Sequence, residues 1–288
     1  MAIQTPTTGQ LENAQRIVVG KVRYTAEHNA PCINLIEHMT LGKGEKTITV
    51  PKVAQVTWAG LTPGVDMTDS ADIGMTTTDL TTSEVGVKLI LTDKLVRQQN
   101  DDVFAMVGRQ VGDGLARKKN VDIIALFSAL NGGTTLGASG ALLTLKFLAS
   151  CISFAKTNKF SGGGTVAVVH HPNAVFGVAN TASIAAAATV PIPSGFSQDL
   201  LGDFYRFTLN QVAVFETGDI VAATASIGAI FSRGAMVYVE SLGFTTERER
   251  DASLRATELV AVTDYGVFEL DDTYGAPMTY DSRALATS

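Results

Sequence analysis

The amino-acid sequence predicts an α+β chain built around one long hairpin and one long helix. Three observations carry this reading. Within residues 44–92 apolar and polar side chains alternate at the strand period. Across residues 92–130 apolar side chains return every fourth position, between a start signal and a stop signal. Finally, the apolar run Val166-Ala167-Val168-Val169 leads through His171-Pro172-Asn173 into a further helical stretch.

Residues 1–40 show little periodicity, and Asn29-Ala30-Pro31 interrupts any regular element there. They are expected to form an arm that needs other surfaces to order it. Strand character then begins. Ile48 and Val50 alternate with Thr47 and Thr49, and Val56 and Trp58 flank Thr57. Val85, Val87, Leu89 and Leu91 alternate with Gly86, Lys88 and Thr92. Between these runs lies a polar stretch, Gly60 to Thr82. The two runs are expected to pair with each other as a long two-stranded hairpin with an elaborate tip. An isolated ribbon of that kind is marginal in water and must lie on something else. Trp58, the single tryptophan, stands near the tip and is a candidate subunit-interface residue.

Thr92 or Asp93 can cap a short helix through Gln99, and Asn100 can cap a longer one whose first turn holds Asp101 and Asp102. Val103, Val107, Val111 and Leu115 form its apolar stripe, and Asn131-Gly132-Gly133 ends it. Gly108, Gly112 and Gly114 lie inside, each costing about 1 kcal/mol against alanine. They are candidate hinge positions, and the four-residue spacing of Gly108 and Gly112 also suits close backbone approach. A second helix is expected over Thr144–Asn158, closed by Ser161-Gly162-Gly163-Gly164. After the buried strand Thr165–His170 and the helix near Ala174–Asn180, residues 185–197 read as a surface loop. Short strands follow at Gln211–Phe215, Ala229–Phe231 and Met236–Glu240, then a longer pair at Phe244–Arg250 and Leu254–Thr263.

Composition narrows the function. The 288 residues are 45% hydrophobic and only 17% charged, a low charged share for a free monomer. Net charge is −6, and no basic run exceeds Arg117-Lys118-Lys119, so a sequence-specific nucleic-acid reader is not expected. An acidic subunit can still line a DNA-filled shell without sticking to the packaged polymer. Cys32 and Cys151 lie far apart among apolar neighbours, which reads as two buried thiols in a reducing compartment. The N-terminus shows no secretory signal, and no apolar run is long enough for a membrane span.

Few residues offer chemistry. His170-His171 is the one adjacent pair of potential bases or ligands, at the end of a buried strand. A zinc site needs three or four ligands at set spacings, and neither His38 nor a nearby cysteine supplies them. The glycine-rich runs lack the lysine and the strand–loop–helix order of a phosphate-binding loop. Glu247-Arg248-Glu249-Arg250-Asp251 alternates sign at the strand period, so the acids share one face and the arginines the other. Such a strand is either a charge-defended edge or one that meets a neighbour, and Glu247, Arg248, Glu249 and Arg250 are candidate interface residues. No catalytic residue, metal ligand or cofactor is expected.

Several segments resemble one family. Val85 to Gln99, a strand running into helix, is similar to the end of the extended loop and the start of the spine helix in tailed-bacteriophage major capsid proteins of the Hong Kong 97 fold. Val166 to Asn173 resembles the family's buried strand and proline-led helix start, and Phe231 to Glu240 its late strand. Glu247 to Tyr280, with Tyr265-Gly266 and Tyr274-Gly275-Ala276-Pro277, resembles its closing strands. The likeness spans residues 44–280 and rests on the order of elements.

By that resemblance, residues 1–43 are an N-terminal arm and 44–91 an extended loop. Residues 92–145 and 229–288 form a peripheral domain with the spine helix, and 146–228 an axial domain. The resemblance implies hexamers and pentamers closing into an icosahedral shell around non-specifically held double-stranded DNA, assembled in the host cytoplasm as part of the virion. It implies a portal protein and, in some relatives, a cement protein. The arm is too short for a cleavable scaffolding region, so a separate scaffolding protein is expected. Two alternatives stand: an encapsulin-type nanocompartment shell, which the family includes, and a small α/β enzyme using His170 or His171.

Overall fold

The computed structural model describes residues 32–53, 58, 60, 63–64, 74–92, 102–178 and 205–283. The arm before residue 32, the expected short helix through Gln99 and the expected loop at 185–197 lie outside the described residues. The strands, in chain order, are β1 (Glu37–Thr40), β2 (Thr47–Val53), β3 (Met75–Thr81), β4 (Ser83–Thr92), β5 (Leu136–Gly137), β6 (Val166–His170), β7 (Tyr205–Leu209), β8 (Val212–Glu216), β9 (Ser226–Ser232), β10 (Met236–Asp251), β11 (Ala256–Glu269) and β12 (Gly275–Tyr280). The helices are α1 (Asp102–Leu126), α2 (Leu145–Thr157) and α3 (172–178).

These build a four-stranded sheet of order β1-β10-β11-β4, a six-stranded sheet of order β5-β12-β9-β6-β8-β7, and the ribbon β2-β3. The chain passes from the six-stranded to the four-stranded sheet through one tight turn, Arg233–Ala235, between β9 and β10. The six-stranded sheet carries α2 and α3. Leu148, Cys151, Ile152, Val175 and Val178 join Val168, Val214, Ile230 and Met278 in one buried cluster. The Thr144 hydroxyl caps α2 by accepting from the Phe147 N–H, and Pro172 opens α3 where a missing N–H costs nothing.

Helix α1 covers the four-stranded sheet and the turn at Cys32–Leu35. Ile123 and Phe127 enter a second cluster with Cys32, Ile36, Phe231, Met236, Tyr238 and Tyr265. Lys119 lays its ammonium 5.0 Å from the Tyr238 ring and 5.4 Å from the Tyr265 ring, and the Tyr265 hydroxyl donates to Asp122 at 2.8 Å. Helical bonding ends at Leu126. Asn131, Gly132 and Gly133 all take positive φ (55°, 59° and 75°), and the Gly132 N–H donates to the Asp272 carboxylate at 2.8–2.9 Å. That left-handed run is the stop that Asn131-Gly132-Gly133 signals.

Three expectations are corrected. First, β2 does not pair with β4. Its partner is β3, inside the stretch expected to be the tip, with Ile48 opposite Leu80 and Val53 opposite Met75. Strand β4 turns away at Thr82 to pair with β11. Second, Met236–Glu240 and Phe244–Arg250 are one strand, β10, with register breaks between Glu240 and Thr245 that accommodate Gly243. Third, among the described residues of α1 a buried row runs through Gly108, Gly112, Ala116 and Asn120, one position over from Val111 and Leu115, while the side chains of Val103 and Val107 lie outside the described residues. Small side chains let a helix approach its neighbours closely, whereas Val111 and Leu115 stay half-exposed beside a cleft.

Candidate assembly surface

The ribbon is anchored near both ends of its paired strands. Leu80 is fully buried, and with Ile48 and Val50 it packs on Val237, Val239, Phe268 and Leu270. Lys52 donates to Asp271 at 2.6 Å and ties β2 to the end of β11. At the Val53–Met75 end the described apolar side chains are open: Val53 is 54% exposed and Met75 64%, and Trp58, just beyond in sequence, is 93% exposed. Among the described residues a tryptophan left this open is the strongest surface signal, because its ring can bury 150–250 Å² on a partner.

The β10–β11 hairpin carries the charged run. Arg248 stands opposite Leu259 and Arg250 opposite Thr257, while Glu247 faces Val260 and Glu249 faces Glu258. Paired residues share a face, so the arginines lie on the α1 side, where Leu259 packs with Leu89, Val111 and Phe244. The acids lie on the opposite side. There Lys88 meets Glu258 at 2.5 Å, which offsets the repulsion between Glu249 and Glu258. Arg248 Nη1 is covered and has no hydrogen-bond partner among the described residues. Asp251 belongs to the turn: its Oδ1 accepts from the Ser253 hydroxyl and N–H and from the Leu254 N–H at 2.7–3.1 Å. Those bonds hold its carboxyl below the usual carboxylate range.

Between α1 and strands β4, β10 and β11 lies a cleft of about 520 Å³. Val85, Val87, Leu89, Val111, Leu115 and Phe244 form its walls, with Gln110 and Lys118 among its few polar groups. Gly114 also borders it, and a Cβ built there meets nothing within 4 Å. Of the three helix glycines, Gly108 and Gly112 are buried and Gly114 is exposed.

The other chemical candidates separate into structural tasks. Arg117 approaches Asp219 at 3.9 Å, Lys118 binds Asp122 at 2.5 Å, and Lys119 covers two tyrosines, so the basic triplet makes no common patch. His170 is fully buried. Its Nδ1 accepts from the His171 N–H at 2.8 Å, and its Nε2 has no hydrogen-bond partner of acceptable geometry. Burial pushes its pKa from 6.5 down to about 4. His171 Nδ1 accepts from the Asn173 N–H at 3.1 Å, next to the start of α3. Both cysteines are free and buried, and burial raises both thiols, which makes them poor nucleophiles. Among the described residues no three His, Cys, Asp or Glu side chains converge to hold a metal, and no helix is long and apolar enough to cross a membrane.

The cleft and the Asn120 link escaped sequence reasoning. Asn120 donates to Thr217 Oγ1 at 3.0 Å and to Asp219 at 2.6 Å, joining α1 to the loop after β8. A polar residue continuing the Gly112–Ala116 row was the one available signal.

No family model and no curated protein matches the sequence. Solved structures do match. A subunit of the cyanophage P-SCSP1u capsid superposes with a TM-score of 0.65 at 15% identity, covering 87% of both chains. A chain from the head of Helicobacter pylori bacteriophage KHP40 gives 0.63 at 8% identity, covering 89% of this chain and 91% of that one. A chain of Mycobacterium phage Che8 gives 0.60 at 19% identity, covering 81% and 84%. The fold is the Hong Kong 97-like capsid fold, mixing helix and sheet over most of the chain.

Proposed function

We propose that the chain is the major capsid protein of a tailed bacteriophage, a structural subunit whose copies form hexamers and pentamers of an icosahedral shell. The observation that carries this reading is a capsid-type fold, matched over more than four-fifths of each compared chain, joined to a ribbon that leaves Trp58 in water. A ribbon that ends in Val53, Trp58 and Met75 is a poor design for a solitary protein and a good one for a contact repeated around a ring.

In this reading residues 1–43 are the arm and 44–91 the extended loop. The peripheral domain, 92–145 and 229–288, supplies α1 and strands β10 and β11 of the four-stranded sheet, to which the arm segment adds β1 and the loop segment adds β4. The axial domain is centred on 146–228, with α2, α3 and the six-stranded sheet, and it recruits β5, β9 and β12 from the flanking segments. The partners are other copies of the chain, a separate scaffolding protein, a portal protein and packaged double-stranded DNA held without sequence preference. The net charge of −6 fits a wall that must not grip that DNA.

Negative-stain microscopy of the purified protein, alone and co-expressed with a scaffolding protein from a neighbouring gene, tests the proposal. Closed shells or capsomer rings are expected. Monomers under both conditions, at every concentration tried, contradict it.

A further inference from the structure

We infer that the face of the four-stranded sheet turned away from α1 docks a basic amphipathic helix of a different polypeptide. This goes beyond the shell reading and is a property of the free subunit. Strands β10, β11 and β4 present their side chains on that face in cross-strand rows. At one end Glu249 stands opposite Glu258, and Ile90 completes the row. At the other end Asp264 lies between Leu242 and Glu84. Like charges directly opposite each other destabilise a sheet, and this face holds one such pair at each end. Lys88 relieves the first by meeting Glu258. Among the described residues no cation meets the second, and Asp264 Oδ1 is covered without a hydrogen-bond partner. Glu247, opposite Val260, adds a further exposed carboxylate. Apolar surface joins the acidic ends: Ile90 is 51% exposed and Leu242 42%. The central row is Thr245, Val262 and Gly86. A Cβ on Gly86 would come within 3.0 Å of the Ala261 carbonyl oxygen, so that row stays low and leaves a shallow trough.

Dimensions and charge select the occupant. Three strands about 4.8 Å apart make a face about 10 Å wide, the diameter of one helix. From Glu258 to Asp264, at about 3.4 Å per residue, the face runs roughly 20 Å, the length of about 13 helical residues. The fitting partner therefore carries an apolar stripe of three to four turns with Lys or Arg near both ends, one set toward Glu249 and the other toward Glu84. Its cations end the repulsion within each acidic pair, and its stripe covers Ile90, Val262 and Leu242, giving the apolar centre and polar rim of a protein contact. A second copy offers no such helix among the described residues: α1, α2 and α3 each spend apolar side chains on their own cores. The net charge of −6 also opposes the approach of another copy to an acidic face.

The test is calorimetric titration of the full chain with a synthetic helical peptide of about 15 residues, Leu on one face and Lys on the other. The unaltered subunit should bind it and should ignore a peptide with Glu in place of Lys. Glu84→Gln with Glu249→Gln removes one member of each like-charged pair. Its melting temperature should stay level or rise, while its affinity for the peptide falls about tenfold or more. Glu37→Gln with Glu45→Gln removes the same charge from β1 and the turn after it, and should hold affinity within about twofold. Ile90→Asn keeps every charge and should weaken binding about fivefold. If the first double variant melts lower than the unaltered chain, Glu249→Gln alone replaces it, with about threefold weakening expected. Equal weakening by both double variants, or no effect of Ile90→Asn, overturns the inference, because the peptide then answers to net charge alone. Unchanged affinity after the face carboxylates are neutralised overturns it as well. If that variant loses self-association instead, the face meets a second copy and the proposed partner is wrong.

Discussion

His170 offers a quantitative test of how the six-stranded body is held together. Its ring is fully buried between β6 and its neighbours, about 6.1 Å from the Tyr280 ring, and a Cβ on Gly228 would overlap it. The neutral form is the one the core accepts. Its pKa is about 4 in the folded chain against 6.5 when unfolded. The unfolded chain therefore takes up this proton first as pH falls. The stability tied to the neutral ring is complete above pH 6.5 and is lost as the pH drops toward 4. That gap of about 2.5 pH units corresponds to about 3 kcal/mol at 1.36 kcal/mol per unit. The ionisable group facing His170 across β8 is Glu216, its chain neighbour is His171, and Tyr280 with Cys151 borders the ring from β12 and α2. All of them persist in His170→Asn, whose carbonyl can accept the His171 N–H in place of Nδ1. Urea unfolding of both proteins at pH 7, 5.5 and 4.5 isolates the term. The unaltered chain should lose about 2–3 kcal/mol more than the variant over that range. Parallel pH profiles would refute the reasoning and mean that the buried ring is paired when protonated.

Other outcomes follow from the same geometry. Gly108→Ala with Gly112→Ala adds methyl groups to the buried row of α1 and should destabilise the subunit by about 1–3 kcal/mol in thermal unfolding. A gain in stability would instead favour the hinge role, in which the glycines ease a change of helix curvature. Replacing the exposed Arg250 with Glu, and leaving Arg248 with its covered Nη1 in place, should reduce particle yield while moving the melting temperature of the free subunit little, since exposed pairs contribute only about 0–1 kcal/mol each. Equal losses in both measurements would assign the charge to the fold. Replacing residues 54–74 with Asn-Gly joins Val53 to Met75, which already face each other, and should spare the fold while abolishing closed shells. Circular dichroism and microscopy of the same preparation report both halves of that expectation.

The sequence made those elements legible whose burial imprints a period. Helix α2, the buried strand β6 and the Asn131-Gly132-Gly133 stop all emerge where local signals place them. Strand β3 did not, because Met75-Thr76-Thr77-Thr78-Asp79-Leu80-Thr81 buries one side chain, Leu80, and a ribbon wet on both faces writes no alternation. Its pairing with β2 also spans a long intervening stretch that no local rule bridges. The division of β10 at Gly243 was misread because a bulge breaks the period without breaking the strand. The candidate surface divides the same way. Trp58 stands out as a lone aromatic in a thin ribbon, and the period of two separates Arg248 from Glu249 onto opposite faces. Which face meets α1 was not legible, since neither is apolar, and the cleft exists only once α1 crosses the sheet.

The most direct measurement of the central claim is the emission of Trp58, recorded together with light scattering as the full chain assembles. Trp58 is the only tryptophan, and in the subunit it is 93% exposed. The free subunit should emit at the long wavelength of a water-exposed indole. Emission should then move to the blue in step with scattering, as each tip becomes covered by a neighbour. Blue emission already present in the free subunit, or scattering that grows while the emission stays unchanged, would contradict a shell held together through this ribbon.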